Sequence, residues 1–177
     1  MELGKQEIEK RLLMLDKEAE LLFSDSDHFS CFIVGGSGLL LLEYISRATI
    51  DIDALEIKPK ELKSIIEKYD INTDVTVFET NFADNYDQRA VRILPQTKKI
   101  DFFVLSLEDL VLSKLCSRGD GTRRKDLVDI CNQKIVNNLN WDLLDVLYKE
   151  VYAQQLSAFS QEDLKLNYEQ YLKDYKK

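Results

Sequence analysis

The sequence predicts an α/β fold of the α+β kind: a small mixed β-sheet core flanked by helices, with a helical C-terminal part. Short β-rich runs alternate with helical stretches up to residue 105, and only helical periodicity follows residue 106. At 177 residues, with 45% hydrophobic and 32% charged side chains, the chain can bury a real core. The expected organisation is a core with an N-terminal helix over 1–105 and a helical subdomain over 106–177 packed on it.

Ile8, Leu12, Leu15, Ala19 and Leu22 recur at helical spacing, so residues 5–23 form an amphipathic helix. Ser24-Asp25-Ser26-Asp27 breaks it. Residues 29–34 are β-rich and bounded by glycine, a strand. The turn Val34-Gly35-Gly36-Ser37-Gly38 leads into a buried helix over 38–45, because Leu39 to Leu42 are too apolar for a surface. Residues 49–55 give a second strand, and Pro59 opens a helix to Lys68. Residues 74–78, with Val75 and Val77 on one face, read as a third strand, and 90–94 and 99–105 as two more. Ser106 caps a helix ending near Ser117, with Glu108 and Asp109 in its first turn. A turn at 118–122 precedes a helix over 123–134, and amphipathic helices follow Trp141.

The bulk numbers exclude several classes. No apolar run approaches the ~20 residues of a membrane span, and the mixed acidic start is no signal peptide. Cys31, Cys116 and Cys131 are an odd set without paired spacing, and His28 is the only histidine, so a zinc site lacks ligands. Reduced thiols and a cytoplasmic location follow. A net charge of −8 excludes general nucleic-acid binding. The local basic groups, Lys98-Lys99 and Arg118, Arg123, Arg124 and Lys125, suit a triphosphate or one RNA end.

Asp51 and Asp53, at i and i+2 in Ile50-Asp51-Ile52-Asp53-Ala54, are the most informative pair. On an extended strand both carboxylates project to one face, with Ile50 and Ile52 on the other. Side by side they repel, and a hard divalent cation resolves the conflict by taking oxygens from both. The Gly-Gly-Ser turn upstream offers backbone N–H groups where a helix begins, which suits a phosphate. Asp101, in the apolar run Ile100-Asp101-Phe102-Phe103-Val104, is the preferred third carboxylate, because a cation explains an acid in such a strand. Asp74 competes for that place. A Walker turn is excluded, since no lysine follows Ser37, and the dinucleotide fingerprint fails at Leu41.

The order Gly36-Ser37, thirteen intervening residues, then Asp51-Ile52-Asp53 resembles the DNA polymerase β-like nucleotidyltransferase superfamily. The words Val34-Gly35-Gly36-Ser37 and Arg47-Ala48-Thr49-Ile50-Asp51-Ile52-Asp53 resemble one branch more closely. So do Leu107-Glu108-Asp109-Leu110, Lys114-Leu115, Arg124-Lys125-Asp126 and Asp129. That branch is the minimal bacterial proteins related to type IV, abortive-infection-type toxin nucleotidyltransferases. The resemblance implies two Mg²⁺ ions on Asp51, Asp53 and Asp101, with an NTP as substrate. It implies nucleotide binding by Gly36, Ser37, Arg47, Thr49, Lys114, Lys125 and Asp126. The acceptor it implies is a hydroxyl on an RNA or tRNA end or on a protein, and the partner a cognate antitoxin.

Plainer readings stand beside these. Ser37 also reads as a helix cap, and Arg47 as a neutraliser of the acidic pocket. Lys114 and the pair Lys125-Asp126 read equally as solvated helix surface, and Asp129 as an i,i+4 partner of Lys125. His28 reads as a structural or solvent-facing residue. Tyr148, Tyr152, Tyr168, Tyr171 and Tyr175 read as packing residues near helical spacing. At the level of function, the alternative is a catalytically inactive member that binds nucleotide or protein. A metal-dependent phosphoesterase is a weaker third.

Overall fold

Helices and short strands alternate through the computed structural model, which describes residues 2–55, 60–116 and 127–176. They form an α+β fold: a small mixed sheet in an N-terminal unit, and helices in a C-terminal one. The first compact unit comprises Met1–Val77 and Asp87–Leu105, the second Phe78–Tyr86 and Ser106–Lys177. Residues 78–86 therefore group with the helical part rather than with the core.

In the first unit, α1 (Lys5–Leu22) buries Ile8, Leu12, Leu15 and Ala19, the stripe its spacing predicts. It packs on α2 (Gly35–Leu41), on α3 (Lys60–Lys68) and on strand β5 (Ile100–Val104). Strand β1 (Phe29–Ile33) runs parallel to β5, and β4 (Val91–Ile93), which follows the short helix α4 (Tyr86–Arg89) in the chain, runs antiparallel to β5 on its other side. Strand β2 (Ile52–Asp53) pairs in parallel with β3 (Ile71–Asn72). An antiparallel bridge from Ile33 to Ala54 joins the two sheets, with Val34 N–H donating to Asp53 O at 2.9 Å and Leu55 N–H to Phe32 O at 3.0 Å. Cys31, Ile33, Ile52, Ala54, Ile100, Phe102 and Val104 fill the helix-covered face, all fully buried. Burial also pushes the Cys31 thiol up, which keeps it protonated. Alternation sends Phe32, Asp53, Asp101 and Phe103 to the other face, where the Phe32 and Phe103 rings stack 5.2 Å apart.

A buried carboxylate ties α1 to the sheet. Asp16 accepts hydrogen bonds from the N–H groups of Lys98, Lys99 and Ile100, the last two at 2.8 Å, where β5 begins. Asp16 is 4% exposed, so its removal strands three donors at once. Asp16→Ala is expected to cost about 3 kcal/mol or more, the desolvation of donors left without a partner. A denaturant titration reads it as a lower midpoint with unchanged slope.

Three sequence expectations change here, and one strand is new. Residues 74–81 form a 3₁₀ helix (Asp74–Asn81), not a strand. Asn72 Oδ1 accepts the Asp74 N–H at 3.0 Å, and this side-chain turn bends the chain out of the strand. Helix α2 begins at Gly35 rather than at Gly38, because Gly35 adopts φ +63° and turns the chain directly into the helix. The second strand is shorter than 49–55: Asp51 lies in a bend, and Ile50 is 67% exposed while Ile52 is buried. The alternation expected of Ile50 and Ile52 thus breaks at Asp51. Strand β3 was hidden from the sequence, because two residues carry no pattern.

In the second unit, α5 (Leu107–Leu115) starts at Ser106, whose Oγ accepts from Asp109 N–H at 3.1 Å and donates to Asp109 Oδ2 at 2.6 Å. Helices α6 (Gln133–Asn138), α7 (Trp141–Gln154) and α8 (Ala158–Tyr175) open on side-chain caps from Asn132, Asn140 and Ser157. The Asn140 N–H also donates to Glu108 Oε1 at 2.8 Å, fixing α7 against α5. The tyrosines pack as their spacing suggests: the Tyr148 and Tyr168 rings stack at 3.8 Å, and Tyr168 donates to Asp145. His28 is exposed, and Cys31, Cys116 and Cys131 are free thiols. No described helix is long and apolar enough to cross a membrane.

Candidate active site

Asp53 is the fixed point of the candidate site. It stands on β2, and its backbone is held on both sides: its C=O accepts from Val34, and its N–H donates to Ser37 Oγ at 3.2 Å. The Asp53 carboxylate lies against the start of α2. A Cβ placed on Gly35 would stand 2.8 Å from Asp53 Oδ2, so only glycine lets the carboxylate approach this closely. The other oxygen, Oδ1, accepts from Asn72 Nδ2 at 3.1 Å across the β2–β3 pair.

Gly36 closes the second side. A Cβ there would meet Arg47 Nη2 at 3.5 Å and Thr49 Oγ1 at 3.8 Å. Arg47 is half-buried and donates to Ala48 O, and Thr49 is buried. Thr49 is anchored by two backbone hydrogen bonds with Leu3, at 2.6 and 3.0 Å. The helix start, Asp53, Arg47 and Thr49 therefore converge, although the chain separates them by up to eighteen residues. Asp51 occupies the bend just before β2 and is half-buried.

Several expected site residues stand elsewhere. Ser37 is fully buried, and its hydroxyl donates to Val34 O at 2.8 Å while accepting from Asp53 N–H. That hydroxyl positions Asp53 instead of facing a phosphate. Asp101 shares the sheet face of Asp53 but not its place along it. Asp101 is the register partner of Ser30, whereas Asp53 bonds to Val34, four residues further on and just past the end of β1. That offset is roughly 13 Å along the strand, beyond the span of one metal shell. Arg92, on the neighbouring strand, forms an ion pair with Asp101. Among the described residues, no group of three His, Cys, Asp or Glu is arranged to hold a metal ion.

Lys114 is buried in the second unit. It is 6% exposed and forms an ion pair with Asp129 at 3.2 Å, itself equally buried. Solvated surface, the plainer reading of Lys114, is thereby corrected. Lys114→Ala would take this charge partner from the buried Asp129, with an expected loss of stability in thermal or chemical unfolding. The joint change Lys114→Met with Asp129→Leu is expected to recover most of it. Lys125 and Asp126 lie outside the described residues.

Asn72 is the residue that sequence reasoning missed. Its signal was faint: Asp70-Ile71-Asn72 repeats the polar–Ile–polar wording of Asp51-Ile52-Asp53. The strand pair sets Ile52 beside Ile71 and Asp53 beside Asn72.

A comparison of the sequence with known families bears on what this arrangement does. Residues 10–176 match a family described as nucleotidyltransferase of unknown function, DUF6036. The chain belongs to this family. Every candidate residue of the nucleotidyltransferase site lies inside the matched stretch, Gly35 and Asn72 included. No curated protein and no solved structure was found to match the chain.

A divalent cation is tested against these residues by their donor chemistry. Mg²⁺ is commonly held by one or two carboxylates together with substrate phosphates and water. Asp53, cradled where a Cβ would intrude, fits that need as a single carboxylate ligand, while the bend at Asp51 removes the strand geometry that would set both carboxylates on one face. A two-ion site completed by Asp101 does not fit, for the register reason above.

Proposed function

We propose that the chain is a Mg²⁺-dependent enzyme transferring a nucleoside monophosphate from an NTP to a hydroxyl acceptor. The acceptor is an RNA or tRNA end or a protein side chain. The observation that carries this reading is the Asp53 carboxylate held against the Gly35–Gly36 helix start, beside Arg47, in a member of a nucleotidyltransferase family.

The residues divide the work as follows. Asp53 holds the cation that accompanies the triphosphate. When bound, that ion neutralises phosphate charge and favours in-line displacement at the α-phosphorus. The opening N–H groups of a helix have no intrahelical partner, so that of Gly36, which is half-buried, faces a phosphate oxygen, while Ser37 supports Asp53 from within the fold. Arg47 adds a positive charge next to them, and Thr49 keeps the Arg47 segment in place through its bonds to Leu3. Lys125 and Asp126 contribute a phosphate contact and its orientation, as the resemblance implies. In the transfer, the acceptor oxygen forms a bond to the α-phosphorus and the bond to the α–β bridging oxygen breaks. Pyrophosphate departs, and the hydroxyl proton passes to solvent. Positioning and charge neutralisation supply most of the rate, which a site this small can do.

The resemblance to toxin nucleotidyltransferases supports a toxin-like role beside a cognate antitoxin, in a bacterial cytoplasm. A second reading, an inactive member that binds nucleotide or protein, is favoured by one observation: Asp101 is ion-paired away from Asp53. Incubation with each labelled NTP, Mg²⁺ and a cell extract separates the two. Label in RNA or in protein supports transfer and identifies the acceptor class. Binding of Mg–NTP in calorimetry, with no label in either fraction, supports the inactive reading.

A further inference from the structure

We propose that Asn72 is a positioning residue that fixes the Asp53 carboxylate and sets how strongly it takes a divalent cation. This rests on the transferase reading above.

The strand register places Asn72 beside Asp53 on parallel β3, and Asn72 Nδ2 donates to Asp53 Oδ1 at 3.1 Å. The orientation of the amide follows from its other contact. Asn72 Oδ1 lies 3.0 Å from the Asp74 backbone N–H, which can only donate. The amide oxygen therefore faces Asp74, and the NH₂ group must face Asp53. Asn72 is held on one side so that it donates on the other. Asp70, in the turn just before that strand, is turned away to Arg11, which reaches its Oδ2 at 2.6 Å. The backbone bonds fix where Asp53 stands, and the amide fixes how its carboxylate plane is turned. Outer partners of this kind commonly change metal affinity by about 10–100-fold when removed.

The test uses the full chain and Mn²⁺ as a spin-active probe, with free Mn²⁺ read by electron paramagnetic resonance. Asn72→Ala is expected to bind Mn²⁺ about tenfold more weakly, and its lost transfer activity should return when Mn²⁺ is raised by a similar factor. A residue with a merely structural role would give a loss that added metal does not restore. Asn72→Leu, which keeps the volume and removes the donor to Asp53 Oδ1, is expected to weaken Mn²⁺ binding in the same way. It decides the matter should Asn72→Ala lose its melting transition. Parent-like Mn²⁺ affinity in the folded variants overturns the proposal. Asp53→Asn separates the two levels: if it loses Mn²⁺ while the Asn72 variants do not, only the Asn72 role falls. If Asp53→Asn also keeps parent affinity, the transferase reading loses its metal site.

Discussion

Asp53→Asn should abolish nucleotidyl transfer while leaving the fold intact. The substitution removes one negative charge and no volume. The carbonyl oxygen of the new amide can still accept from Asn72, and the backbone bonds to Val34 and Ser37 do not involve the side chain. Stability should therefore stay within about 1 kcal/mol of the parent, a surface-like change. Activity should fall by about a thousandfold or more, because the lost charge is the one that a cation and its triphosphate need. Steady-state transfer and a melting curve on the same sample check both halves. A normal rate in the variant would remove Asp53 from the chemistry.

Gly35→Ala should damage stability and activity together. The native φ of +63° is one that non-glycine residues adopt only under strain, at about 1–3 kcal/mol. The added methyl would also stand 2.8 Å from Asp53 Oδ2, so the carboxylate must move. A displacement near 1 Å at a reacting centre can cost about a hundredfold in rate. Gly36→Ala is the control on the adjacent residue. Its Cβ would meet Arg47 and Thr49 at ordinary contact distances, without positive φ, so the fold should tolerate it. Equal melting temperatures for Gly35→Ala and the parent would contradict the close approach.

The elements legible in the sequence were those with local causes. The stripe of α1 and the Ser106 cap are written in side chains that face each other within a few residues, and both stand where expected. The helix start at Gly35 was misplaced because glycine punctuates chains in two ways. It ends elements, and it also allows a positive φ at which one can begin. The alternation of Val75 and Val77 fits a strand only until Asn72 captures the Asp74 N–H, a contact no periodicity reveals.

The candidate site was legible in which residues come together and less so in how they are arranged. Gly36, Arg47, Thr49 and Asp53 converge, as their order along the chain suggested. Ser37 had two readings, and the bonds its hydroxyl makes inside the fold settle that atom on the structural one. Asp101 was chosen because a carboxylate in an apolar strand needs a cation. The cation it has is Arg92, and strand register, set by tertiary pairing, places it away from Asp53. Lys114 read as a nucleotide contact or as solvated surface, and its buried ion pair with Asp129 removes the second reading.

The central claim is tested most directly by following the two ends of the triphosphate in parallel. The purified chain is incubated with Mg²⁺, a cell extract and an NTP labelled either at the α- or at the γ-phosphate. Nucleotidyl transfer predicts that α-label enters RNA or protein while γ-label leaves as pyrophosphate, and that both signals vanish in Asp53→Asn. Pyrophosphate release with no α-label in any acceptor, or γ-label on the acceptor, would contradict it.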